Sequence, residues 1–514
     1  MARIWEENMG SITLRASLAA ASIMVATAVS PQAQAQQDTL RVAIHTLPTQ
    51  QGNPYGIQLT PAIFVGSALY DGLVLVNNNG IPQAALATSW KSLDDKTWQF
   101  KLRANTTFDN GRPVTARAIV DAINYLQGDG KKLRAAREVA GVESVTAVDN
   151  LTVNVVTKAP DAILPKRISQ VFIPEPQAWA DMGEAAYSAK PIASGSYKLE
   201  SWNADKVVLV ARKESWRPPK TGRIEFFGIP EQASRTAGIL SGQLDIAINL
   251  GTDDIGRLKR GGKQVKVEAA PQVLSLILPN KVHDDSPFND VRVRRAANYA
   301  VNKQSIADNL FAGQSRPAAG QGATARAFGY NPSISAYKYD PEKAKQLLAE
   351  AGYPNGFKLL AEVTVGAFAG DADMYQAMAA DLGKVGIETE LRQIVFPDWL
   401  KKYLSLGWDG QAFGLSWLTD PYVDSARFLT YISCSQKPAF FCDEETQKLI
   451  DASHQEFDSA KREGLLQDIA SSYHDLAPAI WLVEAIDIYG MSSRLKGFRN
   501  ENRWLAYHDM ELDG

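Results

Sequence analysis

Asp420 is the residue in this chain best suited to hold a charged ligand. It lies in Ser416-Trp417-Leu418-Thr419-Asp420-Pro421-Tyr422, just past residues 413–417, which read as a short buried strand. In α/β architectures, loops at strand ends face the ligand crevice. A carboxylate buried there beside a cation makes a charge-assisted bond, strengthened because water is excluded. Left unpaired, it would be costly. The competing reading is a turn-capping residue ahead of Pro421, since Asp-Pro commonly starts turns. Trp417 is read in two ways, as a core tryptophan or as a wall of the cleft. Trp408-Asp409-Gly410, a little upstream, belongs to the same polar-aromatic constellation.

Other chemistry is thinly represented. The chain has no P-loop and no Gly-x-Ser-x-Gly elbow. Gly320-Gln321-Gly322-Ala323-Thr324-Ala325 follows a proline loop, not a strand, and so lacks the setting of a dinucleotide site. Lys220-Thr221-Gly222 and Ser335-Ala336-Tyr337-Lys338 stand in the wrong order for penicillin-recognising motifs. His45, His283, His454, His474 and His508 lie far apart, without metal-ligand spacing. No metal and no cofactor is therefore expected. Of the five, His45 is the one that folding could bring near a cleft.

The elements that must position Asp420 are legible by pattern. Asn289 or Asp290 caps a helix whose apolar face is Val293, Ala296, Ala297, Ala300 and Val301. Asn302 caps a second helix that stops at Gly313. Asp340 and Pro341 open a helix stopped by Gly352, with Ala344, Leu347, Leu348 and Ala351 as its buried stripe. Strand 359–364, helix 372–385 and strand 389–394 alternate as an α/β lobe should. Earlier, 39–44 alternates as a strand, 145–156 reads as a hairpin turning at Asp149-Asn150, and Thr115 caps the helix 116–126. Near the end, 479–485 is an apolar strand.

With 514 residues and 45% hydrophobic content, the chain can bury a large core in two or three domains. A net charge of −3, with basic residues dispersed, gives no reason to expect nucleic acid or an anionic membrane as partner. Arg15, the apolar run 16–29 and Ala33-Gln34-Ala35 read as an export signal cut after Ala35. Glu6 and Glu7 are unusual before such a signal, which leaves Met1 and Met9 as alternative starts. Cys434 and Cys442 are close in sequence. In an oxidising compartment such a pair suggests a disulfide, with two buried thiols as the alternative.

Several stretches carry a more specific likeness. They are the 286–303 segment, the 82–116 run from Pro82-Gln83-Ala84-Ala85-Leu86 to Phe108-Asp109-Asn110-Gly111, Leu244-Asp245-Ile246-Ala247, and 339–357. Together they resemble the peptide- and nickel-binding family of solute-binding proteins that serve ATP-binding cassette importers. Pro191-Ile192-Ala193-Ser194-Gly195-Ser196-Tyr197 resembles that family's returning turn, altered at three positions, and Arg117 stands where the family usually has an acid. The resemblance implies an α/β, two-lobed periplasmic-binding-protein fold of the large three-subdomain type, with a hinge and an inter-lobe cleft. It implies a signal peptide at 1–35, lobe I from 36–282 and 489–514 with a subdomain inserted near 70–190, and lobe II from 283–488.

It further implies a periplasmic binder, not an enzyme, that passes a small peptide-like solute to permease and ATPase subunits, and a monomer. Asp420 would meet the ligand's α-ammonium. Arg326 or Arg392 would meet a carboxylate end, with surface charge as the alternative for each. The Cys434–Cys442 loop would brace the Asp420 segment. Two alternatives accompany this reading: the same fold holding an opine, a sugar conjugate or chelated nickel, and a hydrolase.

Overall fold

The computed structural model describes residues 38–513, apart from 58–59, 366–369, 430–431 and 437. The expected leader and its Ala35 site lie outside the described residues.

A ten-stranded mixed sheet runs through the molecule. Its order is Ile387–Gln393, Phe357–Val363, Ala412–Leu418, Gln264–Ile277, Ala479–Met491, Ile246–Ala247, Thr39–Ile44, Arg223–Gly228, Lys206–Ala211 and Tyr197–Trp202. The side carrying Thr39–Ile44 is called the first half below, and the side carrying Ala412–Leu418 the second. Thr39–Ile44 is apolar because it pairs in parallel on both edges and is covered on both faces. Strands Thr97–Leu102, Val142–Asp149 and Thr152–Thr157 form most of a separate four-stranded sheet, with the expected hairpin turn after Asp149.

Two long antiparallel strands, Gln264–Ile277 and Ala479–Met491, join the halves. Both differ from expectation. The second was expected to stop near Ala485, and it continues to Met491. The first was not foreseen, because Pro271 interrupts its pattern and a proline cannot donate to a ladder. The structure accommodates Pro271 in a bulge. Ala269 pairs with Ile486, and the next paired residue, Val273, faces Glu484. The two crossing strands therefore lose register at the same level.

Hydrophobic packing divides on either side of that break. One core gathers Val42, Ile224, Phe226, Phe64, Phe100 and Ile119. Another gathers Leu274, Leu359, Ile480, Val293, Ala297 and Met378. A third surrounds Trp417, Phe413, Phe428 and Trp481, and takes in Val76 and Ile163 from the first half.

The caps follow local sequence. Asp290 accepts from the Arg292 amide and starts Val291–Ala300. Asn302 accepts from the Ser305 amide and starts Lys303–Asn309. Asp340 accepts from the Lys343 amide and starts Pro341–Glu350. Thr115 precedes Ala116–Gln127 without a side-chain cap bond. The altered turn at 191–198 is held by Arg212, whose buried guanidinium donates to the carbonyls of Ala193, Gly195 and Thr107. Gly195 is needed there, since a Cβ would stand 2.5 Å from the Leu69 backbone. Cys434 and Cys442 are joined in a disulfide. Asn280 bonds Cys442 through both its amide nitrogen and its oxygen. Among the described residues, no helix is long and apolar enough to cross a membrane.

Candidate functional site

Strand Ala412–Leu418 delivers Thr419 against the Pro271 bulge. Its amide and hydroxyl both donate to the Pro271 carbonyl, at 3.0 and 3.1 Å. The next residue, Asp420, is thereby fixed at the break in register, with its side chain 20% exposed. The cation nearest to it is Arg503, at 3.4 Å.

Arg503 is committed elsewhere. It forms a two-pronged pair with Asp487, at 2.8 and 3.0 Å, and donates to the Gln272 amide oxygen at 2.8 Å. Burial works against its charge, but Asp487 and Asp420 outweigh burial and hold the guanidinium charged. Asp420 is left with the weaker share. Burial raises its pKa above the usual carboxylate range and Asp487 adds to the rise, with Arg503 opposing. Such a carboxylate is stabilised by an incoming cation.

Arg503 sits on a hairpin built from Asn500–Glu501 and Trp504–Leu505. Both turn residues, Asn502 and Arg503, adopt left-handed backbone, at φ 54° and 66°. The hairpin is tied by three bonds, to Pro421 and to Asn78. The Asn502 side chain donates to the Pro421 carbonyl at 2.9 Å, and the Asn502 amide donates to Asn78 at 2.7 Å. The Asn78 side chain donates to the Asn500 carbonyl at 2.7 Å. This hairpin was not anticipated: two-residue strands are too short to leave a periodic signal.

Other expected site residues fall in different places. Trp417 is a correction. It is 0% exposed, its indole donates to Ser275 at 2.6 Å, and it packs against Trp481 and Phe428. It is a core residue, not a cleft wall, because its strand is flanked on both sides and covered. Arg392 is a second correction. It is 43% exposed and pairs with exposed Asp409, so it serves as surface charge. Arg326 does reach the junction, where it donates to the carbonyls of Asn78 and Ala269. His45 lies beside Arg235 and Asn249; burial lowers its pKa, and Arg235 lowers it further.

Two contacts between the halves have no local signature. Lys166 meets Asp424 at 2.6 Å, and Arg462 grips the same carboxylate with bonds of 2.8 and 2.9 Å. Burial would raise the Asp424 pKa, but the two cations reverse the effect and hold it far below the usual range. Tyr422 donates to Glu138.

Pro421, the residue after Asp420, lines a small cavity of about 30 Å³ whose other walls come mainly from the first half and from the 500–505 hairpin. Trp504 forms one wall. It stacks on Phe172 with ring centres 5.2 Å apart, and its indole N–H is buried without a partner. Among the described residues, no cluster of three histidine, cysteine or acidic side chains is arranged to hold a metal.

The profile of the bacterial extracellular solute-binding proteins, family 5 Middle, matches residues 82–439. The chain is 27% identical over 311 residues to the glutathione-binding protein GsiB of Escherichia coli (strain K12), covering 59% of this chain and 60% of that one. It is 24% identical over 469 residues to heme-binding protein A of Haemophilus influenzae, covering 84% of each. Its fold matches that of the periplasmic binding protein DppA from Helicobacter pylori, solved with the peptide STSA. The TM-score is 0.77 at 21% identity, over 93% of this chain and 98% of that one.

Proposed function

Since the chain belongs to the family 5 bacterial extracellular solute-binding proteins, we propose that it captures a small amine-bearing, peptide-like solute between its two lobes and hands it to an ATP-binding cassette importer. The chain spans only 60% of the length of the glutathione-binding relatives in those alignments, so ligand and partners are read from its own site. The observation that carries the reading is Asp420: a mostly buried carboxylate, under-served by Arg503, at the level where both crossing strands break register.

The mechanism is binding and closure. Lobe I comprises 36–282 and 489–514, with a subdomain inserted near 70–190, and lobe II comprises 283–488. The lobes swing about the Pro271 bulge and Ala485, hinge fashion. The solute's ammonium takes the place beside Asp420 that Arg503 fills poorly. Closure brings Lys166 onto Asp424 and Tyr422 onto Glu138, excluding water and strengthening the polar contacts inside. No covalent step is needed. Export to the periplasm, delivery to permease and ATPase subunits, and the absence of turnover all belong to this proposal. Glutathione and dipeptides both present a free α-ammonium, which fits the same subsite.

Calorimetry with Ala-Ala and with N-acetyl-Ala-Ala tests it. The free-amine peptide binds the wild type more tightly by about 10–100-fold, the scale of one charge-assisted bond. Asp420→Asn abolishes that difference. Equal affinity for the two peptides on the wild type would defeat the amine reading.

A further inference from the structure

We infer that His454 is a proton-operated release for the clasp that holds the two halves together, so that acidification opens the lobes and frees the solute. This rests on the lobe-closure reading above and adds to it a control by pH.

The clasp is built around Asp424. Lys166, on helix Leu164–Ile168 of the first half, and Arg462, on helix Ser459–Leu476 of the second, both bond its carboxylate. Both cations lie over the Phe328 ring, 4.8 and 5.2 Å from its centre. A second crossing lies beside the first. Phe457 stacks on Trp98 of the first half with ring centres 6.1 Å apart, and the Trp98 indole donates to the Asp161 carbonyl at 3.0 Å. Asp161 in turn pairs with Arg167 at 3.5 Å. His454 stands between the two crossings. It follows Ser453, whose carbonyl accepts from Arg462, and precedes Phe457 by one short turn.

The charges facing His454 come from both halves. Arg167 and Asp161 face it from the first half, Arg462 and Asp424 from the second. On its own helix, Asp451 is exposed and already bonded to Gln447. With Lys166 included, three cations meet two carboxylates before the histidine takes a charge. Burial lowers the pKa of His454, and Arg167 and Arg462 lower it further, with Asp161 and Asp424 opposing. The other four histidines are placed differently. His45 and His508 face Arg235 and Arg217 within the first half, and His474 faces Arg295 within the second. His283 meets the Gly410 carbonyl, also within the second.

Parting the lobes takes Arg167 away from His454 and returns the ring to water. The open state therefore takes up a proton more readily than the closed one. The preference for closed lobes is complete above the ordinary histidine value of 6.5, and it is lost as pH falls from there toward the lower value of the closed state. Asp424 stays charged throughout that range, since its two cations hold its pKa far below it. Protonated His454 thus adds a fourth cation to a cluster whose carboxylates already fall short, and the halves separate.

The test is stopped-flow dissociation of Ala-Ala from the full mature chain, with X-ray scattering alongside, at about pH 7.5 and about pH 5.5, on either side of the ordinary histidine value. On the wild type, saturating Ala-Ala reduces the radius of gyration at the higher pH. Its dissociation rate rises at least about fivefold at the lower pH, the scale of one proton linked to opening. In His454→Gln, which stays polar and cannot be charged, that rise is smaller by at least about threefold. Arg167→Gln removes the cation that most opposes protonation and shrinks the rise as well, which keeps the test decisive should the first variant fail to fold. Acid loss of the Asp420 charge affects all three proteins alike, so the difference between them isolates His454. An equal rise in the wild type and in a folded variant refutes the release and leaves both the amine reading and lobe closure standing. If Ala-Ala neither binds nor compacts the wild type at the higher pH, the closure reading falls and the release falls with it.

Discussion

Asp420 and Asp424 are four residues apart and have opposite electrostatics, because their partners differ. Asp424 is gripped directly by two cations; Asp420 shares Arg503 with Asp487 and otherwise has only the more distant pull of Arg427 and a bond from the Asn502 side chain. The first consequence concerns pH and affinity. The raised pKa of Asp420 means that its charge is lost at a higher pH than for an ordinary carboxylate. Affinity for a free-amine dipeptide should start to fall at a higher pH than an ordinary carboxylate would impose as the solution is acidified, and titration calorimetry on Asp420→Asn should lack that fall. The second concerns stability. The depressed pKa of Asp424 gives a stabilisation that is complete above the usual carboxylate range and is lost as pH falls through that range toward the folded value. Asp424→Asn strands two buried cations and should cost about 3–5 kcal/mol in urea unfolding. Lys166→Met leaves the Arg462 pair whole and should cost less than half of that. The position of Asp420 just past the end of a buried strand was readable from the apolar run ahead of a proline. Lys166 was not, because its partner lies 258 residues away.

The elements that were legible carried their own punctuation. Asp290, Asn302 and Asp340 each sit one residue before a helix and bond its first turn, so local sequence suffices. The strand Gln264–Ile277 was hidden by Pro271, a residue that ordinarily argues against a strand and here occupies the one bulge where it can be tolerated. Trp417 was ambiguous because an aromatic residue in a short strand fits a core and a cleft equally; burial on both sides decided it. Two predictions belong to this scale. Replacing Cys434 and Cys442 by serine frees a short loop and should lower stability by about 2.5 kcal/mol, read by denaturant titration of oxidised protein. Gly80 turns with φ 71°, and a Cβ there would lie 2.4 Å from the Val423 carbonyl across the cleft. Gly80→Ala should therefore cost about 1–2 kcal/mol from backbone strain alone. It should also enlarge the radius of gyration in X-ray scattering, because the clash exists only when the lobes touch.

At the scale of the molecule, the two crossing strands come from distant parts of the chain and pair along most of their length. Ile246–Ala247, in the first half, pairs with the far end of Ala479–Met491, and the near end of that same strand pairs with Gln264–Ile277 and closes the edge of the sheet in the second half. Neither lobe can complete its sheet until the segment beginning at Ala479 has arrived. A chain emerging from its N-terminus would thus remain a partly zipped, edge-exposed intermediate until nearly all of it is out, and would then gain both cores in one cooperative step. Topology should in this way dictate assembly order, and limited proteolysis of nascent chains should show resistance only once Ala479–Met491 has been made.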